Sequence, residues 1–256
     1  MQEDQIILID KPADISSFGV VSKVRARLRD ELKRKVKVGH TGTLDPFATG
    51  LLILLTGKMT KKSNEFLKLD KVYEATLKLG YTSTTGDPEG KITESSFTEH
   101  SEIFPKKHRA PEDTLSRSLC ADGAQRERPS PLGEGARERS EKDVSLVLSN
   151  FIGRINQTPP KFSAIKINGE RAYKLARAGK DFEIPSREVE IYNIEILNYD
   201  YPELTIRVHC SSGTYIRTLA EDIGKALGTG AYLTALRRTQ IGKYSIKDAK
   251  TLQKML

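Results

Sequence analysis

Residues 39–55 constrain the fold most, because a glycine-rich loop runs directly into five consecutive aliphatic residues. The loop reads Gly-His-Thr-Gly-Thr-Leu-Asp-Pro-Phe-Ala-Thr-Gly, and Leu-Leu-Ile-Leu-Leu follows it. Glycine permits tight turns, and Pro46 moves Asp45 away from helical backbone angles. A short aliphatic run bounded by turn residues indicates a buried strand. The pattern therefore predicts a carboxylate on irregular backbone at the start of a buried strand.

The local sequence leaves two interpretations of Asp45 open. Loops fixed on rigid strands often carry catalytic groups, so this carboxylate is a candidate nucleophile, base or metal ligand. The Asp-Pro pair is also common in turns, and Asp45 could instead cap a short helix that begins at Pro46.

Composition narrows the class of protein. The chain has 256 residues, enough to bury a sizeable core, and its longest apolar run is far shorter than the ~20 residues of a membrane-spanning helix. The polar, acidic first five residues do not resemble a signal peptide. The two cysteines, Cys120 and Cys210, predict neither a disulfide framework nor a metal cluster. We therefore expect a reducing, cytoplasmic setting and no association with membranes.

The charge favours polyanionic partners. The formal net charge is +8 and the isoelectric point about 9.3, which suits nucleic acid binding without requiring it. The four histidines are His40, His100, His108 and His209, and their spacing matches no common metal-binding motif. We therefore expect no metal and no cofactor.

Hydrophobic periodicity predicts a mixture of helices and strands. Ser16 or Ser17 is expected to cap a helix, residues 72–80 alternate as a half-buried strand does, and two further strands are expected at residues 189–196 and 204–210. Residues 245–256 are predicted to close the chain as a small helix. Tyr73 shares the apolar face of its strand with Ala75 and Leu77, which favours a core position over a substrate-stacking one.

Residues 105–142 differ from the rest of the chain in composition. They are rich in Arg, Glu, Ser, Pro and Gly, and their apolar residues are too few to offset the entropy cost of ordering the segment. We predict a disordered insertion in a surface loop. A charged arm that grips RNA is the functional alternative.

A second group of polar residues lies where a strand passes through a loop into a helix. Residues 211–218 read Ser-Ser-Gly-Thr-Tyr-Ile-Arg-Thr and precede the helix predicted at residues 219–227. A helix N-terminus attracts anions, and Arg217 would reinforce that attraction. Arg217 could equally pair with Glu221 one helical turn later.

Taken together, these motifs are those of a known enzyme family. They are LIDKP at residues 8–12, GHTGTLDPFATGLL at residues 39–52, KVY at residues 71–73, QTPP at residues 157–160, SAIK at residues 163–166, AY at residues 172–173, GTYIR at residues 213–217 and LRR at residues 236–238. The chain resembles the tRNA pseudouridine synthases of the B family, which isomerise uridine 55 in the T-loop of tRNA. The resemblance covers nearly the whole chain outside the predicted insertion.

The resemblance implies one α+β catalytic domain over residues 1–256, built on a mixed, mostly antiparallel sheet with flanking helices. It implies that Asp45 is the catalytic carboxylate and that Arg217 pairs with it, keeping it ionised by lowering its pKa. It further implies that Tyr73 stacks on the target base and assists removal of the proton from C5.

The same resemblance assigns residues that bind the substrate. His40 would stack in the space left by the extruded base, and Tyr215 and Leu236 would line the uracil pocket with Tyr73. The partner implied is the T-arm and T-loop of tRNA, bound by a monomer. The chain ends at Leu256, where bacterial relatives often continue into a small RNA-binding domain, so we expect no complete domain of that kind.

The chemistry suits these residue types but leaves the route open. A carboxylate can attack the sugar at C1′, attack the ring at C6, or act as a base at C2′. The target nucleotide must leave the base stack, which costs a few kcal/mol. Two alternatives share the same residues: an RNA-binding or RNA-folding module without catalysis, and a pseudouridine synthase acting on another RNA.

Overall fold

The computed structural model describes residues 3–95 and 140–255. The helices are α1 (Ser17–Leu32), α2 (Ser63–Leu67), α3 (Glu141–Ser149), α4 (Ala172–Arg177), α5 (Ile216–Leu227) and α6 (Leu252–Met255), with 3-10 helices at Gly57–Lys62 and Ile246–Asp248. The strands are β1 (Ile6–Lys11), β2 (Val38–His40), β3 (Thr49–Thr56), β4 (Lys71–Leu79), β5 (Tyr81–Ser83), β6 (Ile92–Glu94), β7 (Gly153–Gln157), β8 (Lys166–Ile167), β9 (Glu170–Arg171), β10 (Arg187–Asp200), β11 (Glu203–Cys210), β12 (Ala231–Ile241), β13 (Tyr244–Ser245) and β14 (Lys250–Thr251).

The main sheet of the described residues has ten strands. Eight of them follow the order β14-β1-β3-β12-β4-β11-β10-β7, with β2 paired to β3 and β13 paired to β12. Two pairs, β1 with β14 and β3 with β12, are parallel, and the remaining pairs are antiparallel. This arrangement confirms the predicted α+β class with a mixed, mostly antiparallel sheet and flanking helices.

Strand β3 is buried along almost its whole length because both of its faces are covered. Leu52 and Leu54 pack with α1 in one hydrophobic cluster, whereas Leu51, Ile53 and Leu55 belong to another that includes Phe66 of α2. A strand covered on both faces needs a continuous apolar run rather than an alternating one. The run at residues 51–55 thus forms the buried strand that the sequence predicts.

Helix α1 begins where the sequence predicts it. The Ser16 side chain accepts a hydrogen bond from the Gly19 backbone N–H at 3.0 Å, which satisfies one of the donors left free at a helix start. Val20, Val24 and Leu28 are completely buried on the face that packs on the sheet. Helices α3 and α5 pack against the other part of the sheet, around β4, β11 and β10.

Strand β4 alternates between buried and half-buried positions, as predicted. Lys71, Tyr73, Ala75, Leu77 and Leu79 are the buried positions, which confirms the predicted face of Tyr73. Strand β12 lies between β3 and β4 and contacts both. The centre of the sheet therefore joins the loop that carries Asp45 to the strand that carries Tyr73.

Two sequence predictions are wrong in detail. The segment predicted as one small helix at residues 245–256 forms a short strand, a 3-10 turn, strand β14 and the four-residue helix α6, because β14 pairs with β1. The predicted insertion ends too late, since Glu141 and Lys142 already belong to α3. That helix starts at a capping box in which Ser140 and Asp143 bond each other's backbone N–H.

Most of the predicted insertion, residues 105–139, lies outside the described residues, as does Cys120. Within residues 3–95 and 140–255, no helix is both long enough and apolar enough to span a bilayer.

Candidate active site

Asp45 lies in the loop between β2 and β3, and the start of α1 fixes the residue before it. The buried hydroxyl of Ser17 accepts a hydrogen bond from the Leu44 N–H at 2.8 Å and lies 3.0 Å from the Leu44 carbonyl oxygen, to which it donates. The Ala48 N–H donates to the Asp45 carbonyl at 3.2 Å, which closes a turn. Asp45 therefore lies in an anchored turn, and no helix begins at Pro46.

Lys11 anchors the other side of the same loop. Its ammonium donates to the carbonyl oxygen of Pro46 at 3.0 Å. It also donates to those of Pro12 at 2.8 Å and Ile15 at 2.7 Å. Lys11 is fully buried, and burial lowers its pKa to about 8. Sequence reasoning gave Lys11 no role, although a lysine directly after an apolar strand and before a proline was the available signal.

Asp45 and Arg217 form an ion pair. The Arg217 Nε lies 3.0 Å from the Asp45 Oδ2, and the arginine side chain is 5% exposed whereas the carboxylate side chain is 34% exposed. Arg217 comes from the first turn of α5, whose buried residues share a hydrophobic cluster with Leu44 and Ala48 of the Asp45 loop. The pairing that the family resemblance implies is therefore present. It leaves one side of the carboxylate open.

The other nitrogens of Arg217 hold it in a single orientation. Nη1 lies 3.2 Å from the Asp87 Oδ2 and donates to the Thr85 carbonyl at 3.0 Å. Nη2 donates to the Phe162 carbonyl at 2.8 Å. Among the described residues the carboxylate partners of Arg217 are Asp45 and Asp87, so the alternative pairing with Glu221 is wrong. A guanidinium can bridge two carboxylates because its donors point in several fixed directions.

Asp87 is a site residue that the sequence analysis missed. It accepts hydrogen bonds from the Thr85 hydroxyl at 2.5 Å and the Glu89 N–H at 3.1 Å, and it is almost fully buried. The available signal was the dipeptide Asp87-Pro88, which repeats the Asp-Pro at residues 45–46.

The pKa of Asp45 is raised, whereas the resemblance to the family implies that it is lowered. Burial is the largest effect and raises the pKa of Asp45, Arg217 lowers it, and Asp87 raises it further. The expected lowering by Arg217 is therefore real but outweighed. A carboxylate poorly solvated by water and held by one arginine is a stronger nucleophile or base than an ordinary surface aspartate.

Tyr73 and Leu236 lie together on the core face of the central strands. Leu236 on β12 is paired with Ala75 on β4, two residues from Tyr73. Tyr73 is 8% exposed and Leu236 is 7% exposed, so each presents only an edge to the surroundings. The Asp45 carboxylate is close enough to Tyr73 to affect its pKa. These two side chains form an apolar wall beside the carboxylate.

His40 ends strand β2 at the other side of the loop. Burial lowers the pKa of His40, and the positive charges of Arg238 and Arg171 lower it further. The ring is therefore neutral at neutral pH. Its Nδ1 atom is buried and forms no hydrogen bond with the described residues. A neutral ring with an uncommitted nitrogen is suited to contacting a base.

Tyr215 flanks the site at the residue before α5. Its backbone is fixed by Gln157, whose side chain accepts from the Tyr215 N–H at 2.7 Å and donates to the Tyr215 carbonyl at 3.0 Å. The Arg187 guanidinium lies over the Tyr215 ring, 5.0 Å from its centroid, and also donates to the Gly213 carbonyl. Sequence reasoning missed both supports, because they lie 58 and 28 residues away along the chain.

A basic surface lies next to His40. The loop between α1 and β2 is joined to the 3-10 helix after β3 by a hydrogen bond from the Gly57 N–H to the Lys37 carbonyl at 2.9 Å. Six exposed lysines belong to these two segments: Lys33, Lys35, Lys37, Lys58, Lys61 and Lys62. We call this group the lysine surface. Strand β2 connects it directly to the catalytic loop.

Comparison with models of known protein families shows which family the chain belongs to. The model described as the N-terminal domain of TruB family pseudouridylate synthases matches residues 29–110 and 123–216. The chain belongs to the TruB family of pseudouridylate synthases. It is therefore an isomerase, as the sequence predicts. A second TruB model, described as the C-terminal domain of tRNA pseudouridylate synthase B, matches residues 217–256.

The junction of the two TruB models falls within the site itself. Residues 217–256 include most of α5 and all of β12, which lies between β3 and β4 in the main sheet. Asp45 and Tyr73 thus lie in the first TruB region, and Arg217 and Leu236 lie in the second. Both regions are needed to build one site.

Curated TruB family relatives resemble the chain over most of its length. It is 41% identical to a tRNA pseudouridine synthase B of Phocaeicola vulgatus, over 98% of this chain and 92% of the relative. It is 42% identical to one of Parabacteroides distasonis, over 94% of this chain and 87% of the relative. A crystal structure of a Cbf5-Nop10-Gar1 complex contains a similar fold, with a TM-score of 0.61 and 25% identity over 98% of this chain. This chain spans about half of that neighbour, 53% of its length.

Proposed function

We propose that this TruB family enzyme converts uridine to pseudouridine at position 55 in the T-loop of tRNA. The observation that carries the proposal is the Asp45 carboxylate, held by the buried Arg217 guanidinium at 3.0 Å with one side left open. The curated relatives named tRNA pseudouridine synthase B, at 41% and 42% identity, support tRNA as the substrate.

In this proposal Asp45 carries the bond exchange. The reaction replaces the bond between C1′ and N1 by a bond between C1′ and C5, and a carboxylate can begin it at C1′, at C6 or at C2′. Arg217 orients the carboxylate and balances part of its charge throughout. The open side of the carboxylate is where the nucleotide would bind, and the bound base would then cover the carboxylate and exclude water during the exchange.

Three further side chains handle the base. Tyr73 stacks on the uracil and takes part in removing the proton from C5, and Leu236 and Tyr215 line the remainder of the pocket. His40 stacks in the space that the extruded nucleotide leaves, which offsets part of the few kcal/mol that unstacking costs. Its neutral ring and uncommitted Nδ1 atom suit contact with neighbouring bases.

The lysine surface supplies contacts to the RNA backbone. Its six exposed lysines lie around the start of strand β2, which ends at His40, and we propose that they contact the phosphates that flank the extruded nucleotide. Lysine contacts to phosphates release counterions, so tRNA affinity is expected to fall steeply with salt. All the proposed site residues belong to one chain, and we propose that it acts as a monomer in the cytoplasm.

Tritium release from tRNA labelled at C5 of uridine tests the proposal. The wild-type chain is expected to release tritium from a transcript with uridine at position 55, and a transcript with cytidine there is expected to release none. Asp45→Asn is expected to abolish release while tRNA affinity changes less than about threefold, because the amide keeps the shape but not the charge. Asp200→Asn, at the exposed end of β10, is the matched control and is expected to behave as wild type.

Three outcomes would count against the proposal, each in a different way. Binding of tRNA by the wild-type chain without tritium release would favour an RNA-binding or RNA-folding role. Equal release from both transcripts would place the reaction at another uridine. Full activity of Asp45→Asn would remove Asp45 from the mechanism.

A further inference from the structure

Arg238 is a completely buried cation at the centre of the sheet, and nothing described above gives it a function. It lies on β12 and is 1% exposed. In the sheet it is paired with Gly50 on β3 and with Tyr73 on β4. Residues directly opposite each other on neighbouring strands point to the same face and bring their side chains together. Arg238 therefore lies between the end of the catalytic loop and the tyrosine.

The guanidinium joins three parts of the site. Its Nε donates to the Leu51 carbonyl at 2.8 Å, and Nη2 donates to the Gly42 carbonyl at 3.1 Å. Its charge also lies close enough to the Tyr73 phenol to lower the pKa of that group. The same group thus ties strand β3 to the catalytic loop and lies beside the phenol.

The backbone of β3 lies very close to the backbone of β12 at Arg238. Gly50 has a φ of +104°, and a Cβ at this position would lie 2.3 Å from the Arg238 carbonyl oxygen. Only glycine allows β3 to approach β12 so closely. The close approach brings the guanidinium within reach of both Gly42 and Leu51. The glycine that ends the catalytic loop is therefore required by the position of Arg238.

The charge of Arg238 has no counter-ion among the described residues. Its hydrogen-bond partners are two carbonyl oxygens, both neutral. The other titratable groups near the Tyr73 phenol are Asp45 and Cys210, and Lys71 lies near Arg238. Burial raises the pKa of the Cys210 thiol to about 12, so the thiol stays neutral. Arg238 is thus the cation placed to stabilise negative charge on the phenol oxygen.

We propose that Arg238 is the positioning residue of Tyr73, packing beside the tyrosine from the paired position on β12 and stabilising negative charge on the phenol oxygen. The proposal rests on the proposed function, in which Tyr73 takes part in removing the C5 proton. Burial raises the pKa of Tyr73, whereas the charge of Arg238 lowers it. Arg238 therefore opposes the main obstacle to using a buried tyrosine as a base.

The step it serves is the last one of the isomerisation. Once C1′ is joined to C5, that carbon still carries its hydrogen. The Tyr73 oxygen takes this proton as its own O–H proton passes to water, so negative charge develops on that oxygen during the step, and the electron pair of the C5–H bond forms the C5–C6 double bond. The pair from the C6–N1 double bond stays on N1, which takes the proton from the hydronium ion so formed. No oxidant, reductant or cofactor is needed.

A hydrogen isotope effect distinguishes this role from simple support of the fold. Single-turnover rates are measured with the full chain on tRNA transcripts carrying hydrogen or deuterium at C5 of the target uridine. Arg238→Met is expected to lower the rate about ten- to hundredfold, because a neighbouring positive charge shifts the pKa of an acidic group by about one unit or more. The rate ratio between the two transcripts is expected to rise above the wild-type ratio, because C5 deprotonation becomes slower. Affinity for tRNA is expected to stay within about threefold of wild type.

Two variants complete the design. Arg238→Lys keeps the charge, but its compact ammonium lacks the planar spread of a guanidinium that spans both carbonyls, so its isotope ratio is expected between those of wild type and Arg238→Met. It also provides the test if the methionine variant does not fold. Arg237→Met removes the neighbouring arginine, which pairs with Asp10 at 2.8 Å, and is expected to keep the wild-type ratio.

The outcomes separate this inference from the proposed function. A lower rate with an unchanged isotope ratio in both Arg238 variants would show a merely structural role and overturn the inference. A wild-type rate in Arg238→Met would overturn it as well. If Tyr73→Phe also leaves the ratio unchanged, the proposed role of Tyr73 is wrong, and the error lies there rather than in Arg238.

Discussion

Raising the pH above 8 is expected to stabilise the fold through Lys11, whose ammonium supports the loop that carries Asp45. Lys11 is fully buried, and burial lowers its pKa from 10.5 to about 8. Between these two values the unfolded chain holds a proton on Lys11 that the folded chain has released. Stability rises with pH wherever the unfolded state binds more protons. The destabilisation due to Lys11 is therefore complete below about pH 8 and is lost as the pH rises towards 10.5.

The size of the effect follows from the two pKa values. They differ by about 2.5 units, and each unit corresponds to about 1.4 kcal/mol, which gives about 3 kcal/mol in total. The gain is complete only above about pH 10.5, where Lys11 has lost its proton in the unfolded chain as well as in the folded one. At pH 9.5 most unfolded chains still hold that proton, so only part of the change is reached. Between pH 7 and pH 9.5 the expected gain in the free energy of unfolding is about 2 kcal/mol.

Urea unfolding of wild type and Lys11→Met at pH 7 and pH 9.5 measures this gain. Methionine matches lysine in length but does not titrate. The chain has no tryptophan, so far-UV circular dichroism is the suitable signal. A second buried lysine, Lys71, also has a pKa of about 8, but it is present in both proteins and cancels in the comparison. Equal pH dependence of the two proteins would refute the reasoning.

Three further substitutions test the anchoring of the site. Ser17→Ala removes the hydroxyl that bonds both backbone groups of Leu44, so the free energy of unfolding should fall by about 1–3 kcal/mol in urea, and no change would show that the loop is held elsewhere. Gly50→Ala places a methyl group against the Arg238 carbonyl at a φ of +104°, and a melting temperature equal to wild type would contradict the close approach of β3 and β12. Arg217→Lys cannot bridge two carboxylates, so single-turnover isomerisation should slow about 100-fold or more at little cost in tRNA affinity; a rate near wild type would show that charge alone suffices.

The local features of the fold could be predicted from the sequence because they depend on near neighbours. Helix α1 starts at the Ser16 cap, and β4 buries Tyr73 on the face that alternation indicates. The prediction of one helix for the C-terminal segment was wrong for the opposite reason. Its residues 250 and 251 pair with β1, about 240 residues away, and no local pattern encodes that pairing.

The supports of the candidate site could not be predicted, since they join distant parts of the chain. Asp87 meets Arg217 across 130 residues, and Arg238 meets Gly42 across 196. In its local sequence Asp87 looks like an ordinary turn aspartate, and Arg238 looks like an ordinary surface arginine. The predicted direction of the Asp45 pKa shift was wrong for a similar reason, because the burial that raises this pKa depends on everything that surrounds the carboxylate. Sequence motifs therefore identified the candidate catalytic and substrate-binding residues better than the residues that hold them in place.

The position of β12 has a consequence for the order in which the molecule assembles. Residues 231–241 form the only strand of the described main sheet that touches both β3 and β4, so the earlier strands cannot come together without it. A ribosome-bound chain that has not yet exposed these residues has two half-sheets with open edges, and the parts that hold Asp45 and Tyr73 remain separate. Such long-range closure is slow and leaves unpaired strands exposed. We therefore expect pseudouridine synthesis to begin only after β12 has inserted, with no partial activity in shorter nascent chains.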